Sequence, residues 1–331
     1  MSPRVSVVMT AYNAAWCVER ALESVCAQTR LPDEILVCDD GSSDGTPDLI
    51  ERRFGEHVTV LRLPHRNAAA SRRVGLERAS GNWLAFMDAD DTWRPKKQEL
   101  QLAFLERHPE VRWISCDGAF VSADGVIRES WLSDYFEPVR ERVGDLLPPL
   151  VERCFPLMSS MMVEREAYAR VGGINSEIIY SHDYDLWVRL AARYPGALMA
   201  EPLIEYFSHA GSLSRRIAER ACDDLDLMRR IERGDLGHRP ELQRVAARRA
   251  AALEFDLAIH ALRANRLAEG RVRLRRTAAS GPWSRRLLAL AAASLPAGAI
   301  PALMRSAWVK RFVQSQRRRA PVVRPGQGGA A

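Results

Sequence analysis

The chain has 331 residues, 47% of them hydrophobic and 27% charged, which allows one large domain or two smaller ones and excludes a disordered polar chain. Its net charge of +6 conceals an asymmetry: residues 270–331 hold 13 Lys/Arg and no Asp or Glu, leaving 35 basic against 42 acidic residues in 1–269. An acidic body with a cationic tail excludes a main fold that coats nucleic acid, and predicts a catalytic body whose appendage meets an anionic surface.

In chain order, Val5–Thr10 reads as a strand, entered so early that no room remains for a signal peptide. Trp16–Gln28 follows as an amphipathic helix with Val18, Leu22 and Val25 on one face. Glu34–Cys38 is a second strand, and Thr46-Pro47 supplies an N-cap and a proline at the first position of a helix to Phe54. Val58–Leu63 is a third strand, Ala69–Ala79 a helix, and Gly81-Asn82 a turn into the strand Trp83–Met87. Strands alternating with helices predict an α/β fold with a mostly parallel sheet and right-handed crossovers. Ligands bind at the carboxyl ends of such strands, where Thr10, Asp39-Asp40 and Asp88–Asp91 all fall.

From Val111 the pattern is mixed, with strands expected at Val111–Cys116, Val126–Glu129 and Met158–Val163. Gly172-Gly173 is a break, followed by a loop to His182 and a helix at Asp183–Arg193. Beyond Arg215 the chain is almost all helix-forming to Leu274, and residues 320–331, rich in Pro and Gly, are expected to be disordered. The expected division is therefore 1–214 for the catalytic body, 215–319 for a helical basic extension and 320–331 for a tail. Six cysteines are scattered without a C-x-x-C pair, which predicts reduced thiols in a cytoplasmic setting rather than a zinc site or disulfides.

Asp88-Ala89-Asp90-Asp91 is the most informative run. Three carboxylates in four positions at the end of a buried strand repel one another and lose hydration. Hard oxygen ligands of this kind suit Mg²⁺ or Mn²⁺, whose shell is completed by water and substrate phosphates. Taken alone, the run reads better as an acidic turn capping the helix near Pro95. Asp39-Asp40-Gly41-Ser42-Ser43-Asp44-Gly45-Thr46 follows the second strand. There a carboxylate can accept hydrogen bonds from a nucleobase or ribose, and glycine permits close approach. Asp40 is the first choice for that role and Asp39 the second, with Ser43, Asp44 and Thr46 read as turn and cap.

These segments together resemble the family 2 glycosyltransferases. The resemblance runs through Val5–Asn13, Cys38–Thr46 and Phe86–Trp93 with Pro95 and Lys97. It continues through Gly172-Gly173, His182-Asp183-Tyr184-Asp185-Leu186-Trp187 with Arg189, and Tyr206 with His209 and Ser212, covering residues 4–214. It implies a GT-A fold and inverting transfer from a nucleotide-diphosphate sugar to an acceptor hydroxyl. By motif position, Thr10 and Tyr12 would line the nucleotide pocket, Asp40 would hold the base or ribose, and Arg72 would lie near the nucleotide or diphosphate. Asp88 and Asp90 are the Asp-x-Asp pair, Asp90 the expected ligand of Mn²⁺ or Mg²⁺ and Asp88 closer to donor hydroxyls. Asp183 matches the general base, and His209 falls in a segment near the diphosphate where imidazole could bind phosphate or metal.

The chemistry agrees with these roles. A divalent metal neutralises charge growing on a diphosphate leaving group, and one carboxylate suffices to take the acceptor proton in an inverting displacement. Asp185 is a weaker candidate, and Leu186 and Trp187 read as core. Two positions depart from the family. The stretch Asn67–Arg73 lacks the usual glycine and Ala-Arg-Asn triplet, and His182 stands before the base where Glu is common. A sugar nucleotidyltransferase is disfavoured because Thr10–Asn13 is no Gly-rich phosphate loop, a catalytically silent sugar-nucleotide binder because Asp40, Asp88, Asp90 and Asp183 are all retained. A polymerising synthase would show a Gln-x-x-Arg-Trp run, which the chain lacks.

The apolar stretch Leu287–Leu303 is interrupted by Pro296, Gly298 and Pro301, which argues against a transmembrane helix. Two amphipathic helices lying in the headgroup region, with Arg285, Arg286, Arg305, Lys310 and Arg311 beside Trp283 and Trp308, fit better. A soluble helical cap or a dimerisation element is the competing reading. The expected partners are a nucleotide-diphosphate sugar and a glycan or lipid-linked acceptor, at the cytoplasmic face of a bacterial membrane.

Overall fold

The computed structural model describes residues 3–209, 211 and 216–280. The chain divides into two compact units, Met1–Ser212 and Leu213–Ala331. In the first, β1 (Val5–Ala11), α1 (Val18–Cys26), β2 (Glu34–Asp39), α2 (Thr46–Phe54), β3 (Thr59–Arg62), α3 (Ala68–Arg78) and β4 (Trp83–Asp88) alternate as expected. There follow β5 (Thr92–Trp93), α4 (Lys97–Arg107), β6 (Trp113–Ser122), β7 (Gly125–Arg128), β8 (Arg142–Gly144), α5 (Leu147–Glu152), β9 (Met162–Glu164), α6 (Arg165–Arg170), α7 (His182–Arg193) and β10 (Gly196–Phe207).

The strands form one mixed sheet in the order β3-β2-β1-β4-β9-β6-β10-β5, with β7 on β6 and β8 on β10. β3, β2, β1 and β4 are parallel, with Ala11 opposite Asp39 and Thr10 opposite Asp88. That register sets the ends of β1, β2 and β4, with Thr10, Asp39 and Asp88, side by side. β9 then runs antiparallel between β4 and β6, so the parallel pairs of the expected mostly parallel sheet lie in the first half and in the β6–β10 pair. All seven residues of β1 are buried, as its β-branched run requires. Val5, Val7, Met9, Val18, Leu22, Val25, Val37 and Ile50 share one core with Met87 and Ile114.

Three local expectations are corrected. The cap of α2 is Gly45, at φ 83°, and the Thr46 hydroxyl instead accepts from Ala14 N–H at 2.9 Å. Met158–Val163 is not a continuous strand: Met158–Ser160 is a 3₁₀ turn that precedes β9. β10, twelve residues long, was not foreseen because Pro202 reads as a strand breaker; the chain tolerates it through register shifts on both sides of Pro202.

The second unit contains α8 (Ile217–Arg233), α9 (Pro240–Arg263) and α10 (Leu267–Ser280) among its described residues. Leu225, Met228, Ile231, Phe255, Leu257 and Leu262 are buried, and the buried Glu254 carboxylate pairs with Arg273 at 3.1 Å. Among the described residues no helix is long and apolar enough to cross a membrane. Ser212, Leu287–Leu303 and the basic residues from Arg285 onward lie outside the described residues, as does the expected 320–331 tail.

Candidate active site

The site is built on the carboxyl ends of β1, β2 and β4. α3 lies close against this edge because Gly75 has no side chain: a Cβ there would sit 2.3 Å from Cys38 Sγ and 2.6 Å from Val8 Cγ1. One turn earlier, Arg72 is buried with its guanidinium at the strand ends. Its Nη2 donates to Thr10 Oγ1 at 2.6 Å and pairs with Asp88 Oδ1, while Nη1 meets His182 Nε2 at 3.0 Å.

Asp40 is buried and its carboxylate organises the neighbouring loop. Oδ1 accepts from Arg66 N–H at 3.0 Å and from the Ser71 hydroxyl, and Oδ2 lies 2.9 Å from His65 Nδ1. His65 in turn stacks on the exposed ring of Tyr12, with centroids 4.3 Å apart and planes at 19°. Asp39 Oδ2 accepts from Ser42 N–H at 3.0 Å, whereas its Oδ1 is buried without a hydrogen-bond partner among the described residues. The second-choice carboxylate therefore carries the open acceptor.

In the acidic run, each carboxylate has a different partner. Asp91 makes no capping hydrogen bond to the helix near Pro95. It is fully buried, accepting from Ser159 Oγ–H at 2.5 Å and from Phe207 N–H at 3.1 Å, so it fastens β10 to this edge. Ser159 Oγ accepts from Asp88 N–H at 3.0 Å, continuing the same staple. Asp90 Oδ2 lies 2.9 Å from His209 Nε2; His209 Nδ1 accepts from Gly211 N–H at 3.2 Å, so Nε2 carries the proton. Burial, reinforced by the Asp88 charge, pushes the Asp90 carboxyl above its usual range despite the His209 hydrogen bond. Asp91 is pushed well above that range by burial and by the charges of Asp90 and Asp88.

Asp183 stands in the first turn of α7, half-buried, with Oδ1 accepting from Tyr184 N–H at 2.8 Å. The helix is anchored by Trp187, packed edge-on to Phe86 at 5.3 Å, and by the Tyr184 hydroxyl, which donates to Leu150 O at 2.6 Å. Phe86 precedes Asp88 by two residues on β4, so this packing draws the helix start toward the same strand end. His182 is buried, its Nδ1 3.2 Å from Ile179 O. Burial is the main cause that holds its pKa below the ordinary histidine value, against the Asp183 charge and with that of Arg72. Asp185 is paired with Arg189 at 2.6 Å, and Arg189 donates to Gly173 O at 2.7 Å, so Asp185 secures the Gly-Gly turn. Leu186 and Trp187 are fully buried, as read.

The fold thus links Thr10, Arg72, Asp88, His182 and Asp183 in one chain of contacts and neighbours, sets Asp90 on His209, and joins Tyr12 to Asp40 through His65. His65, Ser71 and Ser159 were missed. Applying the strand-end rule to β3 as well would have found His65, three residues beyond its last residue; Ser159 carries no local signal. Among the described residues no group of three or more His, Cys, Asp or Glu side chains converges as a complete metal shell. The donor set fits a hard divalent cation even so. Asp90 lies 2.9 Å from His209, Asp88 stands two residues away with Arg72 as its counter-charge, and phosphate oxygens and water commonly supply the remaining positions.

Comparison with known proteins bears on the family and the fold. The family model described as glycosyl transferase family 2 matches residues 6–165. The chain is 30% identical over 237 residues to TuaG of Bacillus subtilis (strain 168), named for teichuronic acid biosynthesis, covering 70% of this chain and 89% of that one. It is 29% identical over 212 residues to WfaP of Escherichia coli, a UDP-Glc:alpha-D-GlcNAc-diphosphoundecaprenol beta-1,3-glucosyltransferase, covering 63% and 79%. The structure of S. aureus TarS 1-349 superposes with a TM-score of 0.63 at 16% identity, covering 95% of this chain and 91% of that one. The mannosyltransferase PcManGT from Pyrobaculum calidifontis, solved with GDP-Man and Mn2+, gives 0.59 at 20% identity, covering 97% and 86%. The chain belongs to glycosyltransferase family 2 and is a glycosyltransferase with the GT-A fold and a helical C-terminal region.

Proposed function

We propose that this enzyme transfers a sugar, with inversion, from a nucleotide-diphosphate sugar to a hydroxyl of a glycan or lipid-linked acceptor in bacterial surface-glycan synthesis, with Asp183 as general base. The observation that carries this is the half-buried Asp183 carboxylate at the start of α7, whose neighbour His182 is tied through Arg72 to Asp88 and Thr10. This reading joins a base for the acceptor hydroxyl to a holder for the donor through one chain of hydrogen bonds. Tyr12, Asp39 and Asp40 form the nucleoside side, where Asp39 Oδ1 has no hydrogen-bond partner among the described residues. Arg72, buried on Thr10 and Asp88, acts on the donor through those side chains. Asp90 and His209, with Asp88, would hold Mn²⁺ or Mg²⁺, which when bound offsets charge on the departing diphosphate.

A lipid-linked acceptor and a UDP-sugar donor are supported by the activity named for WfaP and by the UDP-GlcNAc complex of TarS. The 13 basic residues of 270–331 support peripheral contact with the anionic cytoplasmic face of a membrane. In this reading, 1–214 is the catalytic domain, 215–319 the interfacial extension and 320–331 a tail.

The test is a screen of UDP-, GDP- and dTDP-sugars with Mn²⁺, reading thermal stabilisation and nucleoside diphosphate release. Transfer is then assayed to a synthetic GlcNAc-diphosphate lipid. Asp183→Asn is expected to keep donor binding and lose transfer; surviving transfer would sink the base assignment. Donor binding without turnover by the wild type would favour the silent binder. Protein that stays in the supernatant with anionic liposomes at low salt would end the interfacial reading.

A further inference from the structure

We infer that His182 is a positioning residue: as a neutral imidazole it accepts a hydrogen bond from Arg72 and straps the first turn of α7 to the strand ends bearing Thr10 and Asp88. Both ring nitrogens have partners that agree on one tautomer. Ile179 O, 3.2 Å from Nδ1, can only accept, so Nδ1 carries the proton. The Arg72 guanidinium, 3.0 Å from Nε2, can only donate, so Nε2 is bare.

Arg72 needs that acceptor. It is buried, its Nε already has no partner among the described residues, and Nη2 is committed to Thr10 and Asp88. Without His182 a further buried donor would be orphaned, and the guanidinium could answer only by leaving Asp88. The neutrality of the ring also matters. Arg72 carries one positive charge and Asp88 one negative charge, so an uncharged neighbour leaves that pair undivided. A carboxylate at 182, the commoner residue in the family, would compete with Asp88 for Arg72 and place a second anion beside Asp183. In this chain the base has no anionic neighbour at 182, and the donor-side carboxylate keeps its counter-charge.

The kinetic consequence rests on the reading of Asp183 as base; the tautomer does not. The experiment uses the full chain with Mn²⁺ and UDP-glucose, or the sugar nucleotide the wild type turns over fastest in the screen. His182→Leu, similar in bulk but without an acceptor, is expected to lower kcat about tenfold or more with donor KM changed by no more than about threefold. His182→Gln, whose amide oxygen can replace Nε2, is expected to recover to within about threefold of wild type. Wild-type kcat in the Leu variant, or a Gln variant as impaired as Leu, overturns the inference. Nitrogen-15 NMR of the His182 ring supplies the second readout, standing even if the Leu variant fails to fold. Nδ1 protonated and Nε2 bare at pH 7 supports the strap, and any other state overturns it. Should Asp183→Asn stay active while the tautomer and the Gln rescue hold, the base assignment fails and the strap survives.

Discussion

Removing the Asp91 carboxylate should open the junction between the acidic turn and β10. In Asp91→Ala, Ser159 Oγ–H and Phe207 N–H both lose their acceptor in a buried setting. Each orphaned donor costs roughly 1–3 kcal/mol. The loss is partly offset because a buried carboxylate, repelled by Asp90 and Asp88, also disappears. A net destabilisation of about 3 kcal/mol follows, and in a unit of about 200 residues that lowers Tm by roughly 6–12 °C. Asp91→Asn keeps one acceptor for Phe207 N–H and turns its amide toward a hydroxyl that can reorient, so it should lose less than half as much. The assay is thermal unfolding by calorimetry or near-UV circular dichroism, without metal. An Ala variant melting within about 2 °C of wild type, or an Asn variant melting as low as Ala, would refute the reasoning.

Lys97 is fully buried against a neutral amide, Gln101 Oε1 at 2.8 Å, and the Trp93 ring at 3.9 Å; burial lowers its pKa from 10.5 to about 8. The unfolded state therefore binds more protons between those values, so stability gains with rising pH across that window and the gain is absent below it. Relative to Lys97→Met, wild type should gain about 3 kcal/mol between pH 7 and pH 10.5 in denaturant unfolding, and parallel curves would refute this. Gly75→Ala should destabilise by roughly 1–3 kcal/mol through the clash with Cys38 and Val8. Gly45→Ala meets no atom within 4 Å and should lose only about 1 kcal/mol, from its φ of 83°; equal losses in chemical denaturation would contradict the packing of α3. Asp90→Asn should abolish most of the Mn²⁺-induced rise in Tm while leaving the metal-free protein as stable or more so, because folding disfavours the ionised carboxylate at pH 7. An unchanged Mn²⁺ response would remove Asp90 from the proposed metal site.

The half of the fold built from local pattern was readable. β1, β2 and β4 are mainly apolar runs with Thr10, Asp39 and Asp88 at or next to their last residues, and α3 appears within one residue of the expected bounds. β10 was hidden by Pro202, whose cost the sheet absorbs through irregular pairing that no local rule encodes. Residue type and strand-end position were enough to place Thr10, Asp40, Asp88 and Asp90 at one edge of the sheet. Division of labour among them was not readable, since it depends on partners far along the chain: His182 for Arg72, His65 for Asp40, and Ser159 and Phe207 for Asp91. The charge of Asp91 was visible while its confinement was not, and confinement turns a turn-capping residue into a fastener.

That fastener also has a place in time. The two groups that Asp91 holds lie 68 and 116 residues downstream. A chain emerging from the ribosome completes β1 to β4 early, yet its acidic turn stays without these donors until Phe207 has been made and β10 has found the sheet. Such distant contacts carry the greatest loop-closure entropy and form late. The Asp91 clasp therefore closes only once both partners exist, and a nascent chain that ends before Phe207 carries Asp88, Asp90 and Asp91 without the contacts that fasten them.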